Sequence, residues 1–220
     1  MKKRINKIIL FDLGDTLFSR DRLIKDYDID LIKNIAGIDR QTIESTISEI
    51  EKEYSGIYKH WFDNDKCNNL ENEYKYTTSF FTNLFEELGI KNQLEDFLAE
   101  RKNEIRYKLF PETKDYLSKL SMKYILGIVT NGRPSRREII KQLKIEKYFD
   151  QNMIFISDEI GHSKPNKKFF NYVLHKIESD VEIILCDDEN RNIDYAKGIG
   201  WKVYKIDHKN KGFKVLDVLQ

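Results

Sequence analysis

The chain has 220 residues, 40% of them hydrophobic, enough apolar content for one large core or two modest ones. Thirty-eight Lys and Arg against 37 Asp and Glu leave a formal net charge of +1, which excludes a global field that recruits nucleic acid or a membrane surface. No stretch approaches the ~18 apolar residues of a bilayer span, and the apolar run after Met1-Lys2-Lys3-Arg4 is too short for a signal peptide and is cut by Asp12.

The first element is an apolar run, Ile8-Ile9-Leu10-Phe11, that stops on Asp12, Gly14, Asp15 and Thr16. Such a run reads as a strand buried on both faces opening into a polar loop, where an open parallel sheet keeps its active site. Helices are expected next at about 29–36, 40–61, 71–88 and 93–109. Ile43, Ile47, Ile50, Tyr54 and Ile57 recur every three or four residues as one apolar stripe. Gly37, Asp63-Asn64-Asp65 and Gly89 punctuate these segments. No strand pattern interrupts them, so the region reads as a helical bundle inserted after the first strand.

From Phe110-Pro111 onward, helices at about 112–120, 135–143, 167–176, 190–199 and 212–219 alternate with strands at about 124–129, 153–157, 182–186 and 201–206. Alternation of this kind predicts parallel strands with helices on both faces. The expected fold is thus α/β: a Rossmann-like parallel-sheet core from 1–17 and 110–220, with 18–109 as an inserted helical-bundle domain. Cys67 and Cys186 have no metal-type spacing and fit a reducing, cytoplasmic setting without a disulfide framework. His60, His162, His175 and His208 show no ligand spacing either and read as surface or structural residues.

Four strand ends carry chemistry. The run around Asp12 resembles motif I of the haloacid dehalogenase-like hydrolases, usually Asp-x-Asp-x-Thr, with Asp12 and Thr16 in place. Ile125 to Val129 followed by Thr130-Asn131-Gly132 resembles motif II. Ser157 to Asn166, with Lys164 before Pro165, is similar to motif III, and Ile183 to Cys186 followed by Asp187-Asp188 resembles motif IV. All four occur in family order and cover the chain outside the helical insert.

The resemblance implies a magnesium-dependent phosphatase of the type-1 cap subgroup. Asp12 would be the nucleophile of an aspartyl-phosphate intermediate, which splits hydrolysis into two easier steps. Phosphate and carboxylate repel, so cations must bridge them. Asp12, the Gly14 carbonyl, Asp187 and Asp188 would hold Mg2+, and Lys164 would neutralise the remaining charge. Thr130, Asn131, Gly132 and Lys164 would bind the phosphoryl oxygens. Asn192 would orient ligands. A helical cap closing on hinges near 18–22 and 109–111 favours small phosphorylated metabolites, such as sugar phosphates or nucleotides, over phosphoproteins. Monomer and homodimer are both open.

One position departs from the pattern. The second acid of motif I, which in family phosphatases protonates the leaving oxygen, is Gly14, and Asp15 comes one residue late. Three alternatives follow: a weak or inactive phosphate- and metal-binding protein, a dehalogenase, or a phosphonatase using a cap lysine among Lys25, Lys33, Lys52 and Lys59. Arg20, Arg22 and Lys25, near the start of the insert, read as solvated cations with the option of meeting a substrate anion.

Overall fold

The computed structural model describes residues 7–19, 23–54, 57–58, 67–103, 107–178 and 180–220. Met1 to Arg4, Arg20, Arg22, Lys59, His60 and Asp63-Asn64-Asp65, named above, lie outside those residues.

Strand β1 (Lys7–Phe11) is central. Successive side chains of a strand point to opposite faces, and here both faces are apolar. Ile9 and Phe11 enter one buried cluster, while Ile8 and Leu10 enter the other. Strands β4 (Ile125–Thr130), β5 (Ile154–Ile156), β6 (Glu182–Asp187) and β7 (Lys202–Lys205) complete a parallel sheet in the order β5-β4-β1-β6-β7. The chain therefore builds outward from β1 on one side and then returns to build on the other. The reversal places a crevice at the C-terminal ends of β1, β4 and β6, the position where open α/β sheets bind ligands. Register fixes what stands there: Phe11 pairs with Ile128 and with Cys186, so Asp12 and Asp187 emerge side by side.

Helices α5 (Thr113–Ser121), α6 (Arg136–Gln142), α7 (Ser157–Ile160), α8 (Lys167–Lys176) and α9 (Asn190–Gly198) connect the strands. The last expected helix is a 3-10 helix, Gly212–Leu219, that buries Phe213, Leu216 and Leu219 against the sheet.

Between β1 and β4 lie α1 (Ile24–Ala36), α2 (Arg40–Ile50), α3 (Leu70–Glu87) and α4 (Leu94–Asn103). Their apolar faces pack on one another: Ile29, Ile32, Ile43, Ile47, Phe80, Phe81, Leu84, Phe85 and Phe97 form a third cluster separate from the two flanking the sheet. A buried ion pair pins this layer, since fully buried Asp28 accepts from Arg101 Nε at 2.9 Å and Nη2 at 3.1 Å.

Three boundaries differ from the sequence reading. Helix α1 begins five residues earlier than expected. Helix α2 ends at Ile50, and residues 51–54 form turns. Ser55-Gly56, which follows in the sequence, is poorly suited to a helix interior. Residues Lys108–Leu109, expected at the end of a helix, form β3, which pairs antiparallel with β2 (Phe18–Ser19). Two-residue strands carry no readable period; tertiary pairing decides them. This ribbon joins the sheet to the helical layer at both crossings.

Gly127 of β4 shows how closely the core is packed. A Cβ there would lie 2.5 Å from the Met153 carbonyl oxygen and 2.7 Å from Leu10 Cδ2. Gly127→Ala should therefore destabilise the fold by about 1–3 kcal/mol through overpacking, read from a urea or thermal unfolding curve.

Candidate active site

Asp12 follows β1 directly, its backbone N–H donating to the Cys186 carbonyl at 2.9 Å. The loop then folds back on itself. Leu17 N–H donates to the Leu13 carbonyl at 2.8 Å, and Asp15, at φ +55°, donates its N–H to the Phe18 carbonyl at 2.7 Å. A left-handed conformation is costly for a non-glycine residue, so the tension of this loop sits at Asp15. Gly14 has no positive φ, and nothing lies within 4 Å of where its Cβ would be.

Lys164 reaches in from the loop between α7 and α8. Its Nζ, buried with the rest of the side chain, donates to Asp12 Oδ1 at 2.8 Å and to Asp187 Oδ2 at 2.6 Å. Burial alone would discourage its charge, but the two carboxylates outweigh that and hold its pKa above the ordinary lysine range. Asn131 fixes the loop carrying Lys164 by a reciprocal pair: its Nδ2 donates to the Lys164 carbonyl at 3.0 Å, and Lys164 N–H donates to its Oδ1 at 2.7 Å. Asp187 is fully buried and accepts from Asn192 Nδ2 at 3.0 and 3.1 Å and from Glu189 N–H at 2.9 Å. Asp188 accepts from Thr16 Oγ1 at 3.3 Å. His208 Nε2 meets the Thr16 carbonyl at 2.8 Å and its ring stacks on Phe110, a structural role that ties the chain's end to the Asp12 loop.

Asp12, Asn131, Lys164, Asp187, Asp188 and Asn192 line a cavity of about 120 Å³ together with Gly14, Asp15, Phe18, Thr130, Arg136, Glu189 and Arg191. Its electrostatics are one-sided. Burial pushes Asp12 up to about 6, against the pull of Lys164, with Asp187 adding to the rise. Burial, then Asp12 and Asp187, push Asp188 up to about 7. Three carboxylates thus share one buried ammonium and the field of the Arg136 guanidinium, which draws the Asp12 pKa down. Among the described residues no three acidic, histidine or cysteine side chains converge as a ready-made metal cage, because Lys164 sits between Asp12 and Asp187. The donor set nevertheless suits magnesium, a hard ion that takes one or two carboxylates and keeps several waters. The excess negative charge asks for a cation.

The sequence-expected residues Asp12, Gly14, Thr130, Asn131, Lys164, Asp187 and Asp188 all meet in this cavity. Gly132 is the correction. It does not line the cavity, and its N–H is committed to Ser157 Oγ at 2.9 Å, so it has no free donor for a phosphoryl oxygen. The Asn131 side chain is likewise engaged in holding Lys164. Thr130 remains available: its buried hydroxyl makes only a long 3.5 Å contact to the Asn131 carbonyl. Of the candidate cap lysines, Lys25 pairs with Glu51 at 3.0 Å, and neither it, Lys33 nor Lys52 lines this cavity or the one beside it. Arg136 was not anticipated. The sequence did hold a signal, the basic run Arg133-Pro134-Ser135-Arg136-Arg137 directly after Thr130-Asn131-Gly132.

A second cavity of about 350 Å³ opens between the helical layer and α6, lined by Tyr58, Glu73, Tyr74, Arg101, Tyr107 and Arg136 among others. Contacts cross it at its rim: Glu73 accepts from Ser135 N–H at 2.8 Å and from Ser135 Oγ at 2.6 Å, and Tyr74 donates to Glu138.

A family model described as haloacid dehalogenase-like hydrolase matches residues 9–206. The chain is 28% identical over 206 residues to a glyceraldehyde 3-phosphate phosphatase of Pyrococcus abyssi, covering 89% of this chain and 79% of that protein. It is 26% identical over 199 residues to a pyrimidine 5'-nucleotidase of Escherichia coli, covering 87% and 80%. Among solved structures, an enzyme of the same family from Bacteroides thetaiotaomicron, in complex with magnesium and inorganic phosphate, superposes with a TM-score of 0.60 at 20% identity, covering 91% of this chain and 94% of that one.

Proposed function

The chain belongs to the haloacid dehalogenase-like hydrolase family, and from that premise we propose that it is a magnesium-dependent phosphatase of small phosphate esters. The observation that carries this reading is the ammonium of Lys164 bridging Asp12 and Asp187 at the mouth of the switch-point crevice, with Asp188 beside them. The names of the relatives, a phosphatase and a nucleotidase, support it.

Asp12 is the nucleophile. A pKa of about 6 leaves it largely ionised at neutral pH. Its Oδ2 attacks phosphorus while Oδ1 stays on Lys164; the bond to the ester oxygen breaks, and that oxygen leaves as an oxyanion that takes its proton from solvent water. Water then attacks the phosphorus of the aspartyl-phosphate, the bond from phosphorus to the Asp12 oxygen breaks, and the water's proton passes to solvent as phosphate leaves and the Asp12 carboxylate is restored. Asp12, Asp187 and Asp188, with the Gly14 carbonyl, would hold the magnesium ion, whose charge when bound screens the repulsion between carboxylate and phosphoryl oxygens. Lys164 supplies the remaining positive charge, and the Thr130 hydroxyl donates to a phosphoryl oxygen. Asn192 orients Asp187. The helical layer, residues 18–109, acts as a cap on the ribbon of β2 and β3, and the second cavity receives the leaving group. Its size suits a sugar phosphate or nucleotide.

The test is phosphate release from a panel of small phosphate esters with and without magnesium. Release that requires magnesium is expected; release from none of them would overturn the reading. Alongside it, Asp188→Ala should weaken magnesium binding at least tenfold by calorimetry, and unchanged binding would remove Asp188 from the ligand set.

A further inference from the structure

Arg136 is 8% exposed, yet no carboxylate among the described residues pairs with it, and its Nη1 is buried without a hydrogen-bond partner. Aromatic faces hold the guanidinium instead: its carbon lies 5.7 Å from the centre of the Phe18 ring and 5.5 Å from that of Tyr107. Those two rings meet edge to face at 4.8 Å, in the ribbon that joins sheet and helical layer. Gly132 is what lets the arginine lie so close to the backbone, because a Cβ at that position would come within 2.6 Å of Arg136 Nε. The field of Arg136 reaches Asp12 and draws that carboxyl's pKa down, but no carboxylate among the described residues comes within ion-pair distance, and an almost fully buried charge without a direct hydrogen-bonded counter-ion is costly. It is relieved when an anion arrives, and a guanidinium forks onto planar oxyanions better than any other side chain.

The position of Arg136 indicates which anion. It lines both the cavity of Asp12 and the larger one under the helices, so it borders the atoms next to the scissile bond. The phosphoryl site has its own buried ammonium in Lys164, and its carboxylates would hold magnesium there. In the larger cavity the acids are engaged, Glu73 by Ser135 and Glu138 by Tyr74, and Arg101 is paired with Asp28. We propose that Arg136 is a specificity-determining residue that binds a second anionic group of the substrate, a carboxylate or further phosphate one or two atoms beyond the transferred phosphoryl group. This rests on the phosphatase reading for the word substrate, but its test is a binding measurement.

Phosphonoacetate and 2-methylpropylphosphonate are matched in size and resist hydrolysis; only the first carries the extra carboxylate. Calorimetric titration of the full chain with magnesium should show phosphonoacetate binding at least about tenfold more tightly, a difference that a charge-assisted hydrogen bond supplies. Arg136→Met should reduce that preference to about twofold or less. If Arg136→Met does not fold, Arg136→Gln, which keeps a polar tip, should give the same collapse. No preference in the wild type, a preference retained in the variants, or equal weakening of both ligands would overturn the proposal. Equal weakening would place Arg136 on the transferred phosphoryl group. Because neither ligand is turned over, absence of phosphatase activity on any ester would overturn the functional reading and leave this result standing.

Discussion

Replacing Asp12 with Asn should abolish magnesium-dependent phosphate release, a loss of about 10⁴-fold or more, because the reaction then has no nucleophile. The fold should survive. Asn is nearly isosteric, and its Oδ1 can still accept from Lys164 Nζ, now 2.8 Å from Asp12 Oδ1. Stability gives an independent check with a definite sign. Burial lifts the Asp12 pKa to about 6, above its ordinary value near 3.8, so the folded state binds that proton more readily than the unfolded chain. A carboxyl shifted this way costs stability above about pH 6, and the cost is relieved as the pH falls from there toward the ordinary value. The metal-free wild type should therefore gain on Asp12→Asn in melting temperature across that interval. A parallel pair of profiles would mean that Asp12 is not the strained group.

Gly14→Asp should raise the magnesium-dependent rate, by up to the 10²–10⁴-fold typical of general acid–base catalysis, if the missing carboxylate limits turnover. The structure gives it room: a Cβ at Gly14 meets nothing within 4 Å, and the backbone there is not left-handed. Crowding or strain therefore should not mask the gain. The effect should be largest for esters with poor leaving groups, since an acidic phenol departs with little protonation. The rival candidate is Asp15, exposed at the rim of the same cavity. If Asp15 already serves as the acid, Asp15→Asn alone would abolish activity and Gly14→Asp would add little.

The parts of this molecule that were legible in the sequence are those where local pattern and burial agree. Ile8 to Phe11 could only be a strand covered on both faces, and the polar residues after each apolar run mark the strand ends that register brings together. What could not be read depends on partners distant in the chain. The ribbon of Phe18–Ser19 and Lys108–Leu109 exists because two short segments meet, and the helix expected there gives way. Gly132 looked like a phosphate-binding amide until its fold placed Ser157 opposite it. The role proposed for Arg136 rests on its lacking an ion-pair partner among the described residues, a property that belongs to the folded surroundings and not to the residue.

On the proposed mechanism Asp12 carries the phosphoryl group during turnover. The most direct measurement is rapid acid quenching of the enzyme with a hydrolysed ester and magnesium, followed by mass spectrometry of the peptide containing Asp12. The account predicts a transient peptide heavier by one phosphoryl group, localised to Asp12 and absent from Asp12→Asn. Sustained phosphate release with no phosphoryl group ever found on that residue would contradict it.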